Sequence, residues 1–436
     1  MPASFSPELR CIHWQLGLSR ANGPIPANRP GGGPTIIGPM PSAAPAAFPV
    51  VSGLERLLSE EPDGLAGRRV ALVSNPASVD RQLRHSADLL FDEAEVKVVA
   101  LFGPQHGFRS DLQDNMVETP HTADRRRRVP IYSLYSETRE PTAEMLRDVD
   151  VLLIDLQDVG TRVYTYIYTM ANCMRAAARH GVRVIVCDRP NPIGGTAVEG
   201  PILRPEYASF VGQYPIPLRH GLTIGELARL FNKEFGLGAA LDVMPIAGWR
   251  RDMYFDETGL PWVIPSPNIP TLDSAIVYPG AVLFEGTLLS EGRGTTRPFE
   301  LIGAPWIDGD RLAGGMNARK LPGVHFRPVF FEPTFQKHAK TTCGGCQIHV
   351  LDRTAFRPVR TAVELIAEFR RQDPQAFAWR QPPYEYEQDK PPIDILYGSD
   401  ALRTASDSEA GIDRLLAGWE GDTEAFLRTR EQYLLY

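Results

Sequence analysis

The side chains best suited to chemistry lie in short polar clusters that each end an apolar run. After Val96–Phe102 comes Gly103-Pro104-Gln105-His106-Gly107. The Gln105 amide neither gains nor loses a proton in water, so it can only orient a hydroxyl, an acetamide or a water molecule. His106 titrates near neutrality and is a candidate acid or base, with donation to a backbone carbonyl as the plainer alternative. Similar clusters supply Asn75, then Gln157-Asp158 with Arg162, then Asp188-Arg189 with Asn191. A later glycine-rich stretch, FEGTLLSEGRGTT, carries Glu285, Glu291 and Arg293. Each cluster also has a structural reading: Asn75 and Asn191 precede prolines and suit Asx-turns, Asp188 can pair with Arg189, and Asp158 can start a helix.

The apolar runs themselves, RRVALVS, VKVVALF, DVLLIDL and VRVIVC, alternate with segments of helical period such as RQLRHSADLLFDEA and YTYIYTMANCMRAAARHG. Buried strands alternating with helices predict an α/β fold, a Rossmann-like doubly wound parallel sheet followed by a smaller α+β domain. In such a sheet, ligands bind outside the carboxyl ends of the strands, where the polar clusters fall. Neither GxGxxG nor GxxxxGK[ST] follows a strand, which argues against NAD and ATP and leaves no cofactor expected. Thr223 and Glu226 have the spacing of a capping box, so Glu226 is read as structural. Tyr164, Tyr166 and Tyr168 do not share a helix face, so one or two at most reach a cleft.

A chain of 436 residues with net charge −7 suits two domains and no nucleic-acid partner. The organisation expected is a disordered, Pro- and Gly-rich leader over 1–50, a Rossmann-like domain over 51–265 and an α+β domain over 266–436. The cluster Arg125–Arg128 reads as a solvated loop first and a patch for anions second. Cys343-Gly344-Gly345-Cys346 has metal-like spacing flanked by His338 and His349, but a glycine-rich turn before a strand at Gln347–Leu351 is preferred, and no metal is expected. No run is long and apolar enough to span a membrane, and the leader lacks a signal-peptide core, so a cytoplasmic location is expected.

The motifs GPQHGFR, DVLLIDLQDVGTRVYTYIYTM, DRPNPIGG, VEGPIL, PSPNIPT and EGTLLSEGRGTTRPFELIGAPW occur in order over residues 51–436. In these the chain resembles the exo-β-N-acetylmuramidase family. The resemblance implies release of terminal N-acetylmuramic acid from peptidoglycan fragments, in a cleft between the two domains. It also implies a Pro-Glu-His-Gly turn whose Glu is the catalytic acid, and here that position is Gln105. Glycoside hydrolysis ordinarily takes two carboxyl groups. Either another group has taken the role, or the sugar or bond differs, or the protein binds glycan without cleaving it. The catalytic set expected is Gln105, His106, Asp158 and Glu291, with Asp111 and Asp114 as further carboxylates. The substrate-binding set is Asn75, Arg109, Arg162, Asp188, Arg189, Asn191, Glu285 and Arg293. The guanidiniums in it match the planar lactyl carboxylate of the sugar.

Overall fold

Alternation of side chains along the strands sorts the sheet into two cores. On one face lie Ala71, Val73, Ala100, Phe102, Leu152, Ile154, Val184 and Val186, packed with the helix Tyr166–His180. On the other lie Val70, Leu72, Val98, Leu101, Val151, Leu153, Ile185 and Cys187, packed with the helices Gly53–Glu60 and Ser86–Asp92. A period of two can bury both faces only when both are covered, which is why these strands read as unbroken apolar runs. The computed structural model describes residues 50–436 apart from 61–63, 93–95 and 115. The expected leader, save Val50, lies outside the described residues.

The strands of this sheet are β1 (Arg69–Ser74), β2 (Lys97–Gly103), β3 (Thr122–Asp124), β4 (Val129–Ser133), β5 (Val151–Asp155) and β6 (Arg183–Cys187). Between them and the last strand of the sheet, β7 (Glu199–Ile202) and β8 (Pro217–Arg219) form a separate two-stranded ribbon, and β9 (Leu241–Met244) then completes the sheet. The order is β3-β4-β2-β1-β5-β6-β9, parallel except for β3. The chain begins in the middle at β1, runs outward to β4, returns to β5 beside β1 and runs outward again to β9. The crevice of a doubly wound sheet opens where that direction reverses, beyond the carboxyl ends of β1 and β5.

A second, antiparallel sheet holds β10 (Leu301–Ala304), β11 (Val324–Phe331) and β12 (Cys343–Val350) in the order β10-β12-β11. Phe299, Ile302, Phe326 and Phe369 of this part share one continuous core with Ile154 and Met170 of the first, so the two parts meet through packed apolar side chains. The Cys343–Cys346 segment corrects the expected turn: it lies inside β12. Its glycines are there for close approach, since a Cβ on Gly345 would stand 2.0 Å from the Ile302 carbonyl oxygen and one on Gly344 2.1 Å from that of Ile307. Cys343 and Cys346 are buried, free thiols. Among the described residues no helix is long and apolar enough to cross a membrane.

Candidate active site

The turn after β2 folds back on itself so tightly that a Cβ on Gly103 would sit 2.3 Å from the Phe108 backbone nitrogen. His106 and Gly107 both take left-handed backbone conformations, φ 70° and 85°. For a histidine this is uncommon and is retained where surrounding contacts enforce it. Here the ring is anchored, with Nδ1 2.7 Å from the Leu112 carbonyl oxygen. A carbonyl only accepts, so Nδ1 carries the hydrogen and Nε2 keeps its lone pair. Burial pushes the imidazole down to about 4, although the Leu112 bond opposes this. At neutral pH His106 is therefore a neutral hydrogen-bond acceptor at Nε2. This removes it as the acid of the pair considered from sequence.

Gln105 and His106 line a cavity of about 40 Å³ whose other walls include Thr165, Tyr166, Tyr278, Glu285, Arg293, Tyr384 and Glu385. The amide of Gln105 is fixed at both ends. Its Oε1 accepts from the Thr165 hydroxyl at 2.8 Å, and its Nε2 donates to Glu385 Oε1 at 3.1 Å. The other oxygen of Glu385 accepts from the Tyr135 hydroxyl at 2.8 Å. Burial raises the Glu385 carboxyl to about 7; the Tyr135 bond pulls it down, and the charge of Glu285 pushes it further up.

Glu285 is held the opposite way. Burial alone would raise it, but the Arg293 guanidinium outweighs burial with the help of the Tyr384 hydroxyl, and the carboxyl lies below its usual range. Arg293 Nη2 donates to Oε1 and the Tyr384 hydroxyl to Oε2, both at 2.7 Å. The two carboxyls thus face one cavity with their proton affinities pushed in opposite directions, the pattern that separates an acid from its anionic partner. Glu291 stands behind them: Lys337 Nζ donates to it at 2.8 Å and Arg293 Nε lies 3.4 Å away.

The sequence comparisons agree over nearly the whole folded chain. The profile described as "Exo-beta-N-acetylmuramidase NamZ, N-terminal" matches residues 70–273, and its C-terminal counterpart matches 276–436. The chain belongs to the NamZ exo-β-N-acetylmuramidase family. It is 48% identical over 387 residues to the "Peptidoglycan beta-N-acetylmuramidase NamZ" of Bacillus subtilis (strain 168), covering 89% of this chain and 91% of that protein. Two solved structures of DUF1343 family proteins from Bacteroides fragilis NCTC 9343 share the NamZ-family fold. One superposes with a TM-score of 0.81 at 35% identity and the other with 0.67 at 30%, each over 89% of this chain and 99% of the other.

Several residues expected in the NamZ-family cleft are instead committed to the scaffold. Arg162 is completely buried, and its guanidinium donates to the carbonyls of Pro201, Ile216, Leu396 and Tyr397 at 2.7–3.1 Å. Arg189 forks onto Asp155 at 2.6 and 2.8 Å rather than pairing with Asp188. Asp188 accepts from the Thr223 hydroxyl, the Gly225 amide and the Tyr436 hydroxyl, which ties the start of the helix Ile224–Glu234 to the end of the chain. Asn191 makes the Asx-turn contact to the Ile193 amide and donates to Leu222. Asn75 bridges the β1 and β5 ends to Pro265. Asp158 accepts from the Gly160 amide and lies 3.5 Å from His220, off the cavity wall. Arg109 is exposed and lines a different cavity.

Of the twelve expected residues, the cavity wall holds Gln105, His106, Glu285 and Arg293. Tyr164 and Tyr166 reach it too, while Tyr168 stacks on Phe231. The capping box of Thr223 and Glu226 is formed, and Glu226 also pairs with Arg251. Sequence reasoning missed Glu385, with Tyr384 and Tyr135. The one available signal was the close run Tyr384-Glu385-Tyr386-Glu387, aromatics alternating with carboxylates in a proline-bounded loop.

Proposed function

We propose that the chain hydrolyses the glycosidic bond of a terminal N-acetylmuramic acid in peptidoglycan fragments, with Glu385 as the general acid. The observation that carries this is the pair of carboxyls in one cavity, Glu385 raised to about 7 and Glu285 held low. A protonated carboxyl at neutral pH can donate to the departing glycosidic oxygen, and an ionised one faces the positive charge that develops at the anomeric carbon. Gln105 orients Glu385 without competing for its proton, because an amide does not titrate. The Nε2 lone pair of His106 is available to a sugar hydroxyl.

The cavity of about 40 Å³ holds roughly two or three waters and no sugar. Glu385 and Tyr384 also line a second cavity of about 500 Å³, together with Tyr135, Tyr386 and Arg380. The turn closed by the Tyr384–Glu387 bridge therefore stands between the two spaces. The larger of the two spaces lies in the range of sugar-sized sites, about 300–1,000 Å³. The consistent role is recycling of imported wall fragments in the cytoplasm. Incubation with a chromogenic N-acetylmuramide tests the reading: free N-acetylmuramic acid and chromophore should appear in equal amounts, and binding without turnover would overturn it.

A further inference from the structure

A cavity of about 740 Å³ lies apart from the one that holds the carboxyl pair. The same turn lines both: Gln105 and His106 face the small cavity, while Gly107, Phe108 and Arg109 face the large one. Leu112, whose carbonyl fixes the His106 ring, is also part of its wall. Three guanidiniums, those of Arg109, Arg125 and Arg126, line this space. Among the described residues no carboxylate lies within ion-pair distance of any of the three, whereas Arg127 beside them is held by Asp124 and Asp88. Asp124 also faces the cavity, but its charge is met by Arg127 and by the Arg126 and Arg127 amides. Asp111 is the remaining anionic group on the wall, and Tyr132 and Phe108 supply aromatic faces.

We propose that this cavity is a subsite for the leaving part of the glycan, and that its three arginines bind a carboxylate on that part. The naming of the ligand rests on the hydrolysis proposed above; the site itself does not. Unpaired guanidiniums offer forked donors that match a carboxylate bidentately. A wall fragment leaving from a terminal muramoyl bond begins with N-acetylglucosamine and continues with a muramoyl residue, whose lactyl group or attached peptide carries that carboxylate. The aromatic faces suit the apolar side of a sugar ring, and Asp111 suits its hydroxyls. The basic cluster Arg125–Arg128 thus divides its work: Arg127 holds the loop to the fold, and Arg125 and Arg126 face the ligand.

The test is a titration of the leaving fragment itself, which has no terminal muramoyl bond to cleave and is read without turnover. The probes are N-acetylglucosaminyl-N-acetylmuramic acid, its peptide-bearing form, and the uncharged N,N′-diacetylchitobiose. The wild type is expected to bind at least one of the two acidic probes at least tenfold tighter than chitobiose. The R109Q/R125Q/R126Q variant is expected to lose that difference. Tighter binding of the peptide form assigns the peptide carboxylates, and tighter binding of the bare form assigns the lactyl group. Equal affinity of the wild type for all three probes, or a preference that survives in the triple variant, overturns the proposal. Should the triple variant fail to melt cooperatively, Arg109→Gln alone carries the same comparison. A wild type that binds the acidic probes yet never turns over the chromogenic substrate would retain the subsite and refute the hydrolysis.

Discussion

Gln105 Nε2 donates to Glu385 Oε1 at 3.1 Å, joining residues 280 positions apart in the chain. The contact accounts for an amide at the centre of a turn that otherwise looks catalytic. A carboxylate at that distance from Glu385 would share a proton with it and blur which group is the acid. An amide holds the oxygen and brings no second titrating group; it is burial that raises the Glu385 carboxyl, against the pull of this bond.

Removing the acid should be costly. Glu385→Gln preserves shape and abolishes the titrating proton, while replacing one of its two accepting oxygens by an NH2 donor. Turnover of a muramoyl–glucosaminyl disaccharide is expected to fall by about 10²–10⁴-fold with little change in KM. In the wild type kcat/KM should decline as pH rises through about 7, where Glu385 ionises, and also in acid, where Glu285 takes up a proton. A pH–rate profile of the two proteins checks this, and an alkaline limb that persists unchanged in the variant would assign it to another group.

Restoring a carboxyl at the turn should couple two acids. In Gln105→Glu the new group lies beside Glu385, so the pair releases its second proton at a higher pH than Glu385 alone. The alkaline limb of the rate profile is expected to move up by about one unit or more, with the rate near pH 7 changed by roughly tenfold or more. An unmoved limb and an unchanged rate would place Gln105 outside the chemistry.

Stability carries the same signature. The folded Glu385 carboxyl titrates near 7, against about 4.3 for an unfolded glutamate. Between those values the native state holds a proton that the unfolded chain has released. The contribution is complete below about 4.3 and is lost as pH rises toward 7, at up to about 1.4 kcal/mol per pH unit. Denaturant unfolding at pH 5, 6 and 7 should show the wild type losing stability relative to Glu385→Gln across that range. Asp188 and Glu199, also raised to about 7 by burial, act equally in both proteins and cancel in the difference. A flat difference would show that the carboxyl is ionised throughout.

Arg162→Met should act on folding and not on catalysis. It strips the donors from four buried carbonyls, and the cost expected is about 3–5 kcal/mol. Guanidinium-chloride unfolding measures it; a variant of wild-type stability with impaired substrate binding would return Arg162 to the site.

The strands were legible because covered sheets demand unbroken apolar runs, and β1, β2, β5 and β6 fall on the runs read from sequence. The turn at Gln105 was legible because its glycines and proline punctuate such a run. The roles of Asp188, Arg189 and Arg162 were not. Asp188 and Arg189 stand just beyond a strand end and Arg162 in the loop that follows one, but whether such a side chain faces the crevice or the packed side of its loop depends on what covers it. That cover comes from Tyr436, Asp155 and Leu396 respectively, 248, 34 and 234 positions away in the chain. Glu385 was invisible for the same reason: nothing periodic marks the loop 381–390, and its partners Gln105 and Tyr135 come from the other half of the chain.

The central claim is that Glu385 delivers the proton to the leaving oxygen, and leaving-group dependence measures that directly. A dinitrophenyl N-acetylmuramide departs as a stable phenolate and needs no acid, whereas a sugar alkoxide does. Glu385→Gln is expected to lose about 10²–10⁴-fold on the disaccharide and far less on the dinitrophenyl glycoside. An equal loss on both substrates would contradict the assignment.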